Sequence, residues 1–167
     1  MEGSVAIVGY MGSGKTTLGR LLARATGLEF VDLDRAISKR AGKEIPEIFA
    51  EYGEGRFRDL EQEALREALD GKTPCIVACG GGVVVRPENR TMLQRVTTVF
   101  LREDTGVLYG RTRGSGRPLR AASRKEFESR YAERLPFYRE VADLEVEVDG
   151  RSPSRVMEEV LGCLSIR

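Results

Sequence analysis

The residues with the clearest chemistry form one run near the start of the chain, Gly9-Tyr10-Met11-Gly12-Ser13-Gly14-Lys15-Thr16. Glycine, four residues, then Gly-Lys-Thr is the spacing of a phosphate-binding loop, and its positions have physical reasons. Gly9, Gly12 and Gly14 free the backbone to turn successive N–H groups inward, toward phosphate oxygens. Lys15 can reach the β and γ phosphates of a nucleotide, and the Thr16 hydroxyl is placed to ligate a magnesium ion bridging the same oxygens. Ser13 and Thr17 belong to the same nucleotide-contacting run. Such a loop needs a strand before it and a helix after it. The apolar run from Ser4 to Val8 predicts the strand, and the amphipathic run from Lys15 to Thr26, stopped by Gly27, predicts the helix. The helix N-terminus adds a positive partial charge where the phosphates would lie.

Phosphoryl transfer also needs a divalent cation, positive charge at the γ phosphate, and a group that holds the acceptor in line. Asp32-x-Asp34 offers two carboxylates at the end of a short strand from Leu28 to Asp32. One could face the metal's water shell and the other an acceptor hydroxyl; the plainer alternative is a helix cap at Asp34 and a solvated acid. Arg58 and Glu61 stand three apart on a helix, and by spacing alone they read as a surface ion pair worth a few tenths of a kcal/mol. Gly80-Gly81-Gly82 follows a buried strand, and is equally a plain loop or a place where backbone approaches a ligand closely. Arg117 lies in a loop from 112 to 123 that is rich in glycine and arginine, either solvated there or carried by a closing lid. The chain has no histidine. Any proton acceptor must then be a carboxylate, or the chemistry must proceed by positioning.

The elements that position these residues alternate. After the strand ending at Asp32, a helix is predicted from Asp34 to Ala41, stopped by Gly42. Pro46 starts a short helix through Tyr52, ending near Gly53 and Gly55, and a longer one runs from Arg56 to Asp70. Pro74 to Cys79 is continuously apolar, as in a strand covered on both faces. A helix from Pro87 to Arg95, a strand from Thr97 to Leu101 and a helix from an Asp104 cap to Arg111 follow. The next helix runs from about Arg124 to Tyr138, interrupted or ended near Pro136. An alternating edge strand, Leu144 to Val148, and a closing helix, Pro153 to Leu164, complete the chain. Strand–helix alternation throughout implies a mostly parallel sheet with helices on both faces, in one α/β domain spanning residues 1–167. Ligands in such sheets collect at the carboxyl ends of the strands, where all the residues singled out above should converge.

Composition narrows the partners. With 27 basic and 26 acidic residues the net charge is +1, which argues against a broad nucleic-acid footprint. No apolar run approaches the ~20 residues that span a bilayer, and no secretory signal is evident, so a cytoplasmic location without membrane contact is expected. Cys75, Cys79 and Cys163 are odd in number and lack a CxxC pair, predicting reduced thiols rather than zinc ligands. No surface stripe predicts an interface, and a monomer is expected.

Six motifs in order, Gly9-x-x-Gly-x-Gly-Lys-Thr, Asp32-x-Asp34, Phe57-Arg58-x-x-Glu61, Gly80-Gly81-Gly82, Arg117-Pro118-Leu119 and Arg134-x-Pro136-x-Tyr138, resemble bacterial shikimate kinases, over nearly the whole chain. The resemblance implies a three-layer α/β/α sandwich of the P-loop kinase type, with a five-stranded parallel sheet in the order 2-3-1-4-5. It implies a substrate-binding region around 34–61, a lid around 112–123, and transfer of the γ-phosphoryl group of ATP to the 3-hydroxyl of shikimate, with Mg2+ as cofactor. It further implies that Asp34 holds the hydroxyl, that Asp32 lies near the magnesium water shell with Thr16 as ligand, and that Lys15 and Arg117 stabilise the transferring group. Arg58 and Arg134 would bind the shikimate carboxylate, with Glu61 and the backbone of Gly80, Gly81 and Gly82 lining the same site. Arg111 and Arg151 would flank the adenine. Two rival readings are another small-molecule kinase on the same scaffold, such as a gluconate kinase, and a nucleotide-binding regulator without catalysis.

Overall fold

The structure, a computed structural model, describes residues 3–112 and 123–165. Five parallel strands, β1 (Val5–Gly9), β2 (Glu29–Asp32), β3 (Cys75–Ala78), β4 (Thr97–Arg102) and β5 (Leu144–Glu147), form one sheet in the order β2-β3-β1-β4-β5. This is the expected order. The register aligns Ile7 of β1 and Asp32 of β2 on the same residue of β3, Ala78, so the carboxyl ends of three strands finish side by side. β5 lies at one edge, as its alternating pattern predicts.

Because side chains alternate along a strand, each central strand feeds two cores. Ala6, Val8, Val77 and Phe100 point to one face, against apolar residues of α2 (Leu33–Ala41), α3 (Ile45–Leu69), α4 (Pro87–Leu93), α5 (Thr105–Arg111) and α6 (Arg124–Val141). Val5, Ile7, Ile76, Val99 and Val146 point to the other, against Leu18 and Leu22 of α1 (Lys15–Thr26) and Val156 and Val160 of α7 (Pro153–Ser165). The result is the α/β/α sandwich. Gly19 explains how closely α1 approaches β2: a Cβ there would sit 2.5 Å from the Phe30 ring. That close packing brings the first turn of α1 up to the end of β2.

Three elements differ from expectation. The helices on either side of Gly53 run together as α3, kinked where Gly53 takes φ 76 and ψ 177. Val83–Val85 form a short 3-10 turn after the three glycines, closed by bonds from Val83 N to Gly80 O (3.1 Å) and Val85 N to Gly82 O (3.0 Å). Most consequential is α6, which does not end at Pro136 but continues to Val141. Proline removes one helical N–H and crowds the preceding turn. Burial of Tyr131, Arg134, Tyr138 and Val141 on one face of α6 holds the helix together across it.

Candidate active site

The loop after β1 is built from left-handed glycines, with φ of +86 at Gly12 and +94 at Gly14, so a side chain at either position would be strained. Lys15, the first residue of α1, donates to the Tyr10 carbonyl at 2.8 Å and lies 3.4 Å from Ser13 Oγ, which keeps its ammonium curled over the loop. The Thr16 hydroxyl donates to Asp32 Oδ2 at 3.1 Å. Hydroxyl and carboxylate thus meet at the point where loop, α1 and β2 converge.

Asp32, not Asp34, caps α2: its Oδ1 accepts from Arg35 N at 3.3 Å. This overturns the plainer reading of Asp34 as the cap. Asp34 falls in the first turn of α2, where the helix dipole favours a carboxylate. It is placed between two spaces. On one side a cleft of about 250 Å³ is lined by Gly12, Lys15, Thr16, Asp32, Gly80 and Gly81. On the other a cleft of about 500 Å³ runs between α2 and the start of α3, past Arg35, Lys39 and Lys43. A group held by Asp34 would therefore face the phosphate loop.

Arg58 and Glu61 are not a surface pair. They are 5 % and 1 % exposed, and Arg58 Nη1 donates to Glu61 Oε2 at 2.7 Å. A second acid absent from the sequence reading, Glu54, accepts from Arg58 Nη2 at 3.2 Å, but it is half exposed and a substrate anion could replace it. Arg58 Nε and Glu61 Oε1 are buried without a hydrogen-bond partner among the described residues. Two unsatisfied polar atoms on one buried pair are costly unless a ligand or water meets them. Spacing alone gives no burial, which is why the surface reading fails: the turn that covers this pair comes from another part of the chain.

That cover is the glycine run. A Cβ on Gly80 would lie 3.0 Å from Glu61 Oε1 and 3.2 Å from Asp34 Oδ1, and one on Gly82 would lie 2.3 Å from Arg58 Nη2. A Cβ on Gly81 would press on the Met11 amide at 3.2 Å. The glycines let β3's exit lie flat between the phosphate loop and the Arg58–Glu61 pair. Arg134, 8 % exposed, reaches the same turn from α6, donating to Gly81 O at 3.3 Å with its guanidinium 5.6 Å from the Tyr10 ring centroid. Tyr138 donates to the same carbonyl. Sequence reasoning gives Tyr138 no role, although its place one helical turn after Arg134 puts both on one face.

Burial raises the Glu61 carboxyl above the usual carboxylate range; the Arg58 charge holds it back in part, and the Asp34 charge pushes it further up. The shift bears on stability and on the site in the same direction. Just above the usual carboxylate range the folded state binds this proton more readily than the unfolded chain does, so stability falls as pH rises through that window. Protonation also removes the negative charge that competes with an anion for Arg58. Acidification into the same window should therefore strengthen whatever anion Arg58 holds while slightly stabilising the fold. Glu61→Gln should flatten both dependences, measured as acceptor KM and unfolding temperature against pH; an unchanged KM profile in that variant would exclude Glu61 as the titrating group.

Arg111 and Arg151 border a third cleft of about 340 Å³ that shares Gly12, Ser13 and Thr17 with the phosphate loop. Arg111 donates to Gly12 O at 3.3 Å and pairs with buried Glu103 at 3.1 Å, while Arg151 donates to Glu147 O at 3.0 Å and pairs with Glu159. The flat guanidinium groups suit stacking on a planar base. Cys79 lines the crevice but is fully buried, and burial pushes its thiol well up, so it stays protonated and inert. Cys75 and Cys79 are free and buried, as expected, and Cys163 is half-buried. Arg117 and residues 113–122 of the expected lid at 112–123 lie outside the described residues.

Comparison with known proteins gives a consistent result. A family model described as shikimate kinase matches residues 11–165. A shikimate kinase from Aromatoleum aromaticum is 44% identical over 160 residues, covering 93% of this chain and 91% of that protein. One from Persephonella marina is 38% identical over 161 residues, covering 95% and 97% respectively. The solved shikimate kinase of Acinetobacter baumannii in complex with shikimate superposes with a TM-score of 0.89 at 34% identity, covering 99% of this chain and 94% of that one.

Proposed function

The chain belongs to the shikimate kinase family, and we propose on that premise that it transfers the γ-phosphoryl group of ATP to the 3-hydroxyl of shikimate. The products are shikimate 3-phosphate and ADP, in a step of aromatic amino acid biosynthesis by way of chorismate. The observation that carries the reading is the meeting of Arg58, Arg134, Asp34 and the Gly80–Gly82 turn at the phosphate loop. Two buried arginines suit a small carboxylate, and a carboxylate beside the loop suits a hydroxyl awaiting in-line transfer.

Each residue then has a task. The loop N–H groups from Gly12 to Thr17 cradle the phosphates, with Arg111 and Arg151 on either side of the adenine. Lys15, together with Arg117, meets the charge on the transferring phosphoryl group. Arg58 and Arg134 hold the shikimate carboxylate, Glu61 anchors Arg58, and the glycine backbone faces a ring hydroxyl. Asp34 orients the 3-hydroxyl and takes its proton as the new O–P bond forms. Its contribution is chiefly alignment of that hydroxyl on the phosphate.

The Thr16 hydroxyl and Asp32 carboxylate fit a magnesium ion. They are hard oxygen donors, and a site offering one or two protein oxygens is typical for Mg2+, which takes its other ligands from water and substrate phosphates. Thr16 would ligate the ion directly and Asp32 through a water. When bound, magnesium neutralises charge on the β and γ phosphates.

We take residues 1–167 as a single kinase domain acting as a cytoplasmic monomer. Among the described residues the large exposed apolar side chains are few, Tyr52, Val85 and Val107, which supports that assembly state. The deciding experiment is coupled ADP release with Mg-ATP. Release is expected with shikimate and not with gluconate or without acceptor; release with gluconate alone would favour the other kinase, and release with neither would favour the non-catalytic rival.

A further inference from the structure

We propose that the Tyr138 hydroxyl is a positioning group for the acceptor site: by donating to Gly81 O alongside Arg134, it fixes the Gly81–Gly82 peptide against which the acceptor's ring hydroxyl is held. The inference rests on the function proposed above. It assigns Tyr138 a part in shikimate affinity and none in the transfer step.

The three glycines at 80–82 form a turn whose carbonyls are all engaged. Gly80 O accepts from Val83 N, Gly82 O accepts from Val85 N, and Gly81 O accepts from Arg134 Nη1 and from the Tyr138 hydroxyl. The N–H groups of Gly81 and Gly82, in contrast, have no acceptor among the described residues. A peptide unit is planar and, with no cis bond among the described residues, its carbonyl and the next N–H point to opposite sides. Holding Gly80 O therefore aims the Gly81 N–H, and holding Gly81 O aims the Gly82 N–H. Glycine has the widest backbone freedom of any residue, so three in succession will not keep one orientation unless their carbonyls are tied.

The tie at Gly81 is made by a rigid group. Tyr138 is fully buried, and its ring stacks on Phe100 of β4 with centroids 5.0 Å apart and an interplanar angle of 15°. Burial pushes its phenol well above the ordinary value, so the hydroxyl keeps its proton and remains a donor across the working pH range. Arg134, the other donor, is shared: a guanidinium that turns toward a bound carboxylate leaves Gly81 O at the moment the turn must stay still. Tyr138 then holds the carbonyl alone. Only the hydroxyl is needed for this, while the ring serves the core.

Tyr138→Phe separates the two duties. Steady-state kinetics with each substrate varied in turn should show shikimate KM raised about three- to ten-fold, the range for loss of one neutral hydrogen bond, with ATP KM and kcat within about two-fold of wild type. Unchanged shikimate KM, or shikimate and ATP KM rising together, would overturn the proposal. Phe100→Leu loosens the stacking and keeps the hydroxyl; it should lower the unfolding temperature while moving shikimate KM less than Tyr138→Phe does. If it raises shikimate KM as much, ring packing and not the hydroxyl is responsible, and the proposal fails. Shikimate-dependent ADP release by the wild-type enzyme, measured alongside, keeps failure of this proposal distinct from failure of the function itself.

Discussion

Asp34→Asn should lower kcat by about 100-fold or more while leaving ATP affinity within two-fold of wild type, because general-base and orienting groups commonly contribute 10²–10⁴. The substitution keeps the shape of the side chain and removes its charge. ATP should be little affected, since the phosphate cradle is built from the backbone after β1, from Lys15 held by the Tyr10 carbonyl, and from Thr16 held by Asp32. Stability should change modestly: Asp34 is exposed, the cap of α2 is made by Asp32, and the favourable charge lost from the first turn is worth about 0.3–1 kcal/mol. One secondary effect has a definite sign. Asp34 pushes the Glu61 carboxyl up, so neutralising Asp34 should bring Glu61 down and strengthen the Arg58–Glu61 pair. Shikimate affinity should thus survive the variant, giving a protein that binds both substrates and turns over slowly. Turnover within three-fold of wild type would eliminate the proposed role of Asp34.

The contrast between Asp34 and the Arg58–Glu61 pair shows what the sequence makes legible. Phosphate loop, strand order and the convergence of the strand ends follow from local signals: glycines at fixed offsets, apolar runs of strand length, and the resemblance carried by ordered motifs. Helix periodicity likewise places Arg134 and Tyr138 on one face. What local signals cannot give is how deeply a charged pair is buried, because that depends on a segment twenty residues away lying over it. Gly82 touches Arg58 only because β3 pairs between β2 and β1, a fact about the sheet rather than about helix α3. The same limit explains Pro136. Proline's local preference ends a helix, but four buried side chains around it outweigh that preference, and only the packed structure supplies them.

Arg58→Ala should raise shikimate KM more than 100-fold and also destabilise the fold, and the two losses have different causes. The first is the loss of charge-assisted hydrogen bonds to the acceptor carboxylate, each worth about 1.5–3 kcal/mol. The second arises because Glu61, 1 % exposed, is left without its nearest counter-ion. Removing one partner of a buried pair typically costs about 3–5 kcal/mol. Protonation of Glu61 and the charge of Arg134 offset part of that cost, so the destabilisation should be smallest at acid pH. A binding defect in a weakened protein is ambiguous by itself. The double variant Arg58→Met, Glu61→Leu resolves it, because replacing a buried ion pair by apolar groups of similar volume is often neutral or stabilising. The double variant should recover the unfolding temperature of the wild type and still fail to bind shikimate in calorimetry, with ATP binding intact. Recovery of shikimate affinity along with stability would mean that the pair only supports the turn above it. Arg134 would then be left as the principal carboxylate ligand.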